Sequence, residues 1–173
     1  MIAKSLGLPI KRFIAATNLN DTVPRYLQTG EWTPKSTIAT ISNAMDVSQP
    51  NNWPRIEALI EKGYIDRDCL TGEAVDEEYT QVAMRQLASL GYVSEPHAAI
   101  GYRSLSRSLA ADEVGVFLGT AHPAKFRETV ENVLGQPISL PQPLADCVSK
   151  PELSVDIKNS YEALKSHMFS ILK

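Results

Sequence analysis

The run Val114-Gly-Val-Phe-Leu-Gly-Thr-Ala-His-Pro-Ala-Lys-Phe126 decides the fold class. Val114, Val116, Phe117 and Leu118 have the apolar, β-branched content of a buried strand, and Gly119 lets the backbone come close to a neighbour. Pro123 sits where the first turn of a helix tolerates a missing N–H. Phe126, Val130, Val133 and Leu134 then fall on one helical face, and Gly135 ends it. A strand that runs directly into a helix puts Thr120 at the carboxyl end of a sheet strand, beside a helix N-terminus. Open α/β sheets bind their ligands in that crevice.

Working outward, the pattern from Glu73 onward alternates strand and helix, as a parallel sheet with crossover helices requires. Asp76 is placed to cap a helix reaching Leu90, with Tyr79, Val82, Ala83, Leu87 and Leu90 as its buried stripe and Gly91 as its end. Tyr92 and Val93 read as a short strand, Glu95-Pro96 breaks it, and residues 97–109 are helical. Towards the amino end, residues 10–17 read as a buried strand closed by the Asn/Asp cluster at 18–21. Residues 23–34 carry Pro24, Gly30 and Pro34 and read as an irregular excursion. Residues 36–45 and 53–62 are helical candidates; in the second, Ile56, Leu59 and Ile60 share a face and Gly63 stops it. Residues 1–6 read as the tail of a helix closed by Gly7 and Pro9. After Gly135, a proline-rich surface segment (136–151) precedes an amphipathic helix near 155–172. The expected division is 1–135 and 136–173.

Composition narrows the function. Of 173 residues, 43% are hydrophobic, enough to bury a core. A net charge of −3, with scattered basic residues, argues against nucleic acid or an anionic membrane as the main partner. No apolar run approaches the ~20 residues that span a bilayer, and no secretory leader is recognisable, so a cytoplasmic location is expected. Cys69 and Cys147 stand far apart without ligand spacing, and His97, His122 and His167 are not spaced as ligands either, so no metal site is expected.

Four segments carry a more specific signal: Phe13-Ile-Ala-Ala-Thr-Asn-Leu-Asn-Asp21, Ser42-Asn-Ala-Met-Asp-Val-Ser-Gln-Pro-Asn-Asn-Trp-Pro-Arg55, Ser94-Glu-Pro-His-Ala-Ala-Ile-Gly101 and the 114–126 run. Together with Ala3-Lys-Ser-Leu-Gly-Leu-Pro9 they resemble threonine synthase, in order, as far as Gly135. The resemblance implies an α/β fold: the C-terminal part of the large domain of a tryptophan-synthase-β-like enzyme, a partial parallel sheet with crossover helices, followed by a C-terminal helix. It implies a lyase that uses pyridoxal 5'-phosphate to turn O-phosphohomoserine and water into threonine and phosphate.

The family's Schiff-base lysine and its Gly-Asn-Phe-Gly phosphate loop have no counterpart in these residues. The resemblance therefore assigns no catalytic residue to this chain and implies an N-terminal half as its partner. It assigns Thr120 to the pyridine nitrogen of the cofactor. A neutral hydroxyl stabilises a pyridinium much less than a carboxylate does, so it moderates the ring's electron withdrawal. Asn18, Asn20, Asp21, Asp46, Glu95 and His97 are candidate pocket-lining residues. For Glu95 and His97 the plain alternative is hydrogen bonding to loop backbone, and for the Asn/Asp cluster it is turn chemistry. Lys125, in the first turn of a helix, is read as an exposed charge, and Arg55, Arg103 and Arg127 as helix-surface groups. Two further readings stay open: a non-catalytic remnant acting as an interaction module, and one half of a split enzyme completed in trans. The isolated chain is expected to be inactive and, with a sheet edge open, to self-associate.

Overall fold

In the computed structural model, which describes residues 1–172, the chain divides into two units, Met1–Ser139 and Leu140–Lys173. The first is built on a parallel pair of strands, β1 (Phe13–Thr17) and β2 (Leu70–Ala74), in register from Phe13 opposite Leu70 to Thr17 opposite Ala74. Parallel strands need a long crossover. Here it carries α2 (Thr22–Thr29) and α3 (Trp53–Glu61), after a short α1 (Ile2–Ser5). Then follow α4 (Glu77–Ser89), α5 (Pro96–Ser108), a 3₁₀ turn at Pro123–Phe126 and α6 (Arg127–Leu134). The second unit holds α7 (Gln142–Val148) and α8 (Tyr161–Ile171).

Two apolar cores hold the first unit. One joins Ala83, Met84 and Leu87 of α4 to Ala99 of α5 and to Phe126 and Val130 around α6. The other joins Val23 of α2, Trp53 of α3 and Leu70 of β2, with Phe13, Ala15, Tyr26, Leu27 and Ile56 packed around them. Trp53 stacks on Trp32 at 5.7 Å, and Tyr26 meets both rings edge-on. The α4 N-terminus forms as expected: Asp76 Oδ1 accepts from the Tyr79 N–H at 2.8 Å, and Glu77 and Glu78 complement the helix dipole. Its buried face is Thr80, Ala83, Met84 and Leu87, whereas Tyr79 and Leu90 of the expected stripe are exposed.

Several expectations are corrected. Residues 23–34 are not wholly irregular: α2 forms because Pro24 lies in its first turn, where no N–H is needed, and Gly30 closes it at φ 77°. Residues 36–45 are not a helix; the chain there is irregular except for a 3₁₀ turn at Asn43–Met45, because side chains take up its backbone groups. The segment 136–151 contains α7. The strand β2 was not anticipated.

The largest correction concerns the 114–120 run. It is neither buried nor paired into a sheet among the described residues. Alternate residues do face opposite ways: Phe117 packs against Tyr92 and Tyr102, while Val114, Val116 and Leu118 are 96%, 80% and 78% exposed. Residues 114–121 make no hydrogen bond through backbone or side chain among the described residues. The Tyr92-Val93 strand is likewise absent as a paired element. The composition of 114–118 is that of a central strand, but no neighbouring strand lies among the described residues.

What precedes the run is firmly tied. Glu113 takes Lys11 Nζ and Arg12 Nη2 at 2.6 Å each and accepts from the Ala110 N–H at 3.0 Å. The Ala110 N–H and the Lys11 ammonium hold its carboxyl down at about 2, against an ordinary value of 4.5. A depressed folded-state value means that the contribution to stability is complete above the unfolded value and disappears as pH falls through the folded one. The thermal-stability difference between the natural chain and Glu113→Gln is therefore expected to be constant near neutrality and to close as pH falls from 4.5 to about 2. A melting series across that range checks it.

Two glycines give opposite expectations. A Cβ on Gly72 of β2 would lie 2.6 Å from Pro24 Cα, so the close approach of α2 to the sheet needs glycine there. Gly72→Ala is expected to cost about 1–3 kcal/mol in urea denaturation, the usual effect of overpacking. On Gly101, inside α5, a Cβ would meet only Phe117 Cβ at an ordinary 3.5 Å. Gly101→Ala is expected to stabilise by about 0.5–1 kcal/mol, because glycine is entropically costly within a helix.

Candidate functional site

A cleft of about 320 Å³ opens at the carboxyl end of β1. Its floor is Ala15, Ala16 and Thr17; Asn18 and Asn20 follow directly; Met45, Val47 and Pro50 come from the irregular crossover, Trp53 and Ile56 from α3, and His97 and Ile100 from α5. The location is where a parallel sheet is expected to bind ligands.

One wall is held by side chains. Asn18 and Asn20 are buried, and their amides form a staple across the loop 37–48. Asn18 Nδ2 donates to Ser42 Oγ at 2.9 Å, Asp46 Oδ1 at 3.0 Å and Thr40 Oγ1 at 3.1 Å. Asn20 bridges both backbone groups of Ile38, donating to its carbonyl and accepting from its N–H, each at 2.9 Å. Asp46 completes the loop by accepting from the Thr40 hydroxyl at 2.7 Å and the Thr40 N–H at 2.9 Å. These three residues are thus spent largely on the loop, which for Asn18 and Asn20 is the plain alternative to a pocket-lining role. Asp21 stands apart, paired with Arg25 at 2.8 Å.

On the other wall, Glu95 is buried and caps α5. Its two oxygens accept the N–H groups of His97 and Ala98 at 2.8 and 2.7 Å, and one of them also meets His97 Nδ1 at 2.5 Å. Burial alone pushes the Glu95 carboxyl up; the His97 ring and the two backbone donors outweigh it and hold the group below its ordinary value. His97 Nε2 and Trp53 Nε1 are buried without a hydrogen-bond partner.

Thr120 does not line this cleft. It is exposed, makes no hydrogen bond among the described residues, and follows Gly119, where a Cβ would come within 2.9 Å of Tyr92 Oη and 3.6 Å of Ala98 Cβ in the first turn of α5. Of the candidate residues, Asn18, Asn20 and His97 line the cleft, Asp46 and Glu95 stand behind them as hydrogen-bond partners, and Asp21 and Thr120 lie off it. Sequence reasoning missed Thr40, Ser42 and Trp53. Ser42 and Trp53 stood inside a quoted segment, whereas nothing local marked Thr40.

Among the described residues no lysine or arginine lines the cleft, and no cluster suited to a metal ion occurs. Its own side chains therefore offer neither a covalent anchor nor a cation for a phosphate. The Thr120 hydroxyl has no hydrogen-bond partner among the described residues, and Gly119 keeps its backbone close to α5.

Comparison with known proteins gives the relatives of the chain. The family model described as "Threonine synthase, C-terminal" matches residues 98–168. Threonine synthase of Escherichia coli (strain K12) is 56% identical over 170 residues, which is 98% of this chain and 40% of that one. The crystal structure of threonine synthase from Escherichia coli superposes with a TM-score of 0.87 over 98% of this chain and 40% of that chain. That of PLP-bound threonine synthase from Brucella melitensis, 26% identical, reaches 0.82 over 96% and 41%. The chain thus spans about two fifths of the length of the relatives it matches. Over nearly its whole length the chain is similar to the C-terminal part of threonine synthases.

Proposed function

We propose that this chain is the C-terminal portion of a cytoplasmic, pyridoxal-phosphate-dependent threonine synthase, a lyase producing threonine and phosphate from O-phosphohomoserine and water. The observation that carries the reading is 56% identity across 98% of the chain to a threonine synthase. Residues 1–135 belong, in this reading, to the cofactor-bearing large domain, and 136–173 form an extension. The partner is the polypeptide corresponding to the rest of the relatives' length. The hydrogen-bond-free run at 114–121, with three apolar side chains turned outward, supports a sheet completed by further polypeptide rather than a self-sufficient interaction module.

When bound, pyridoxal phosphate supplies the electron sink for the reaction. This chain contributes the surroundings. Thr120 would offer its hydroxyl to the ring nitrogen, a neutral partner that would limit protonation there. The Asn18–Asn20–Asp46 staple holds one wall of the cleft, and the apolar side chains of Met45, Val47, Trp53 and Ile56 exclude water from it. The lysine that moves protons and the cations that hold phosphate come from the partner.

The purified chain alone is expected to release no phosphate from O-phosphohomoserine and to show no cofactor absorbance. Co-expression with the N-terminal portion of the Escherichia coli enzyme is expected to restore phosphate release. Restored release from the pair supports the proposal, whereas turnover by the chain alone, or none from a soluble complex, overturns it. In the active complex, Thr120→Ala is expected to lower the rate about tenfold, the worth of roughly one hydrogen bond, while Thr120→Ser retains most of it. Steady-state phosphate assays on the three complexes decide this.

A further inference from the structure

The run 114–121 has no ladder to hold it among the described residues, so side-chain packing fixes where it lies. Its inner face is Gly115, Phe117 and Gly119, and each meets one residue of α5. A Cβ on Gly115 would come within 2.7 Å of Leu105, a Cβ on Gly101 would stand 3.5 Å from Phe117 Cβ, and a Cβ on Gly119 would stand 3.6 Å from Ala98 Cβ. The three pairs advance in opposite directions along the two segments and match large against small: glycine under leucine, phenylalanine over glycine, glycine beside alanine. Protein interiors are packed so closely that a change of one methyl group in such a seam is felt. Phe117 is held in its middle by edge-on contacts with Tyr92 at 6.3 Å and Tyr102 at 5.7 Å.

One further atom sets the carboxyl end of the seam. Tyr92 Oη would lie 2.9 Å from a Cβ on Gly119, and apart from the adjoining residues only Ala98 Cβ would also come within 4 Å of it. The phenol cannot swing clear without giving up its packing on the Phe117 ring. Glycine at 119 therefore lets the run reach this depth, and the residue that follows is Thr120. The same stretch of α5 also carries His97 and Ile100 on the wall of the cleft, so the helix refers the end of the run to the cleft without any strand pairing.

We propose that Gly119 and Tyr92 are positioning residues: packed against the first turn of α5, they set where the Thr120 hydroxyl stands before any other strand joins the run. For what that hydroxyl touches, this rests on the proposed function. The placement itself belongs to this chain alone.

The test is a substitution cycle read at Thr120. With ¹³C-labelled threonine methyl groups, Gly119→Ala is expected to displace the Thr120 methyl resonance, both in the full chain and in its complex with the N-terminal portion of the Escherichia coli enzyme. Tyr92→Phe, which removes the one clashing atom, is expected to return the resonance when the two substitutions are combined. In the complex, Gly119→Ala is expected to weaken pyridoxal-phosphate binding, followed by absorbance, about tenfold in the natural background, the worth of roughly one hydrogen bond, and by less than about twofold in the Tyr92→Phe background. A Thr120 signal unmoved by Gly119→Ala overturns the proposal, as do equal losses of binding in the two backgrounds. Should Gly119→Ala alone fail to fold, the double variant must fold and show the natural Thr120 signal; a double variant equally unfolded overturns the proposal too. The methyl signal is read without cofactor, so failure of the seam is distinguishable from failure of the proposed reaction, which shows as absent phosphate release.

Discussion

The parallel ladder between β1 and β2 is the constraint on which the first unit depends. Five residue pairs form it, and a two-stranded ladder is marginal without cover. Cover comes from α2, which approaches β2 closely enough that Gly72 leaves room only for a hydrogen beside Pro24, and from α5, which packs along β1. Because β1 is held on several sides, its carboxyl end is a fixed point. Asn18 and Asn20 leave from that point, and their amides determine where the loop 37–48 runs. The cleft is therefore a consequence of strand pairing at one remove, with side-chain hydrogen bonds carrying the order from strand to loop.

The molecule settles the demands of its backbone polar groups in two contrasting ways. In the loop 37–48, where no ladder or helix is available, Asn20, Asp46 and Glu77 provide partners for the backbone of Ile38, Thr40 and Ile41. In the run 114–121 nothing among the described residues does so, and Val114, Val116 and Leu118 face outward beside those groups. The first solution makes a loop as determinate as a regular element. The second leaves an edge flanked by exposed apolar surface, a combination that folded chains ordinarily cover.

This contrast also explains what was readable in the sequence. The helix α4 was recoverable because it joins a 3.6-residue period to a start signal, Asp76 before two glutamates, and α3 because Ile56, Leu59 and Ile60 share a face that Gly63 ends. The α4 stripe was placed wrongly because Tyr79, although apolar in bulk, carries Arg103 over its ring at 4.5 Å near the surface, while the smaller Thr80 turns inward. The helix α2 was hidden because Pro24 and Gly30 are breakers by composition and become a first turn and a terminus only by position. The strand β2, Leu-Thr-Gly-Glu-Ala, has little β propensity and forms because β1 and α2 require a partner there. In the 114–118 run, local composition reports the environment of a central strand, which depends on neighbours that this stretch of chain does not itself contain. At the site, Asn18, Asn20, Asp46, Glu95 and His97 stood out within the quoted segments, but a sequence does not show which way an amide points, and the first three turn chiefly to the loop.

The division of labour within the cleft follows from the distribution of charge. Among the described residues no cationic side chain lines it, and the carboxylates near it are either committed to the loop, as with Asp46, or used to cap a helix and orient a ring, as with Glu95. A site of this kind shapes and excludes water well, but it stabilises developing anionic charge poorly, because that requires preorganised positive donors. Any reaction that expels a phosphate beside this cleft must therefore draw its compensating positive charge from polypeptide beyond these residues. The chain's own contribution around the cleft is made through hydrogen bonds: the Asn18 and Asn20 amides, and the imidazole of His97 held against a buried carboxylate.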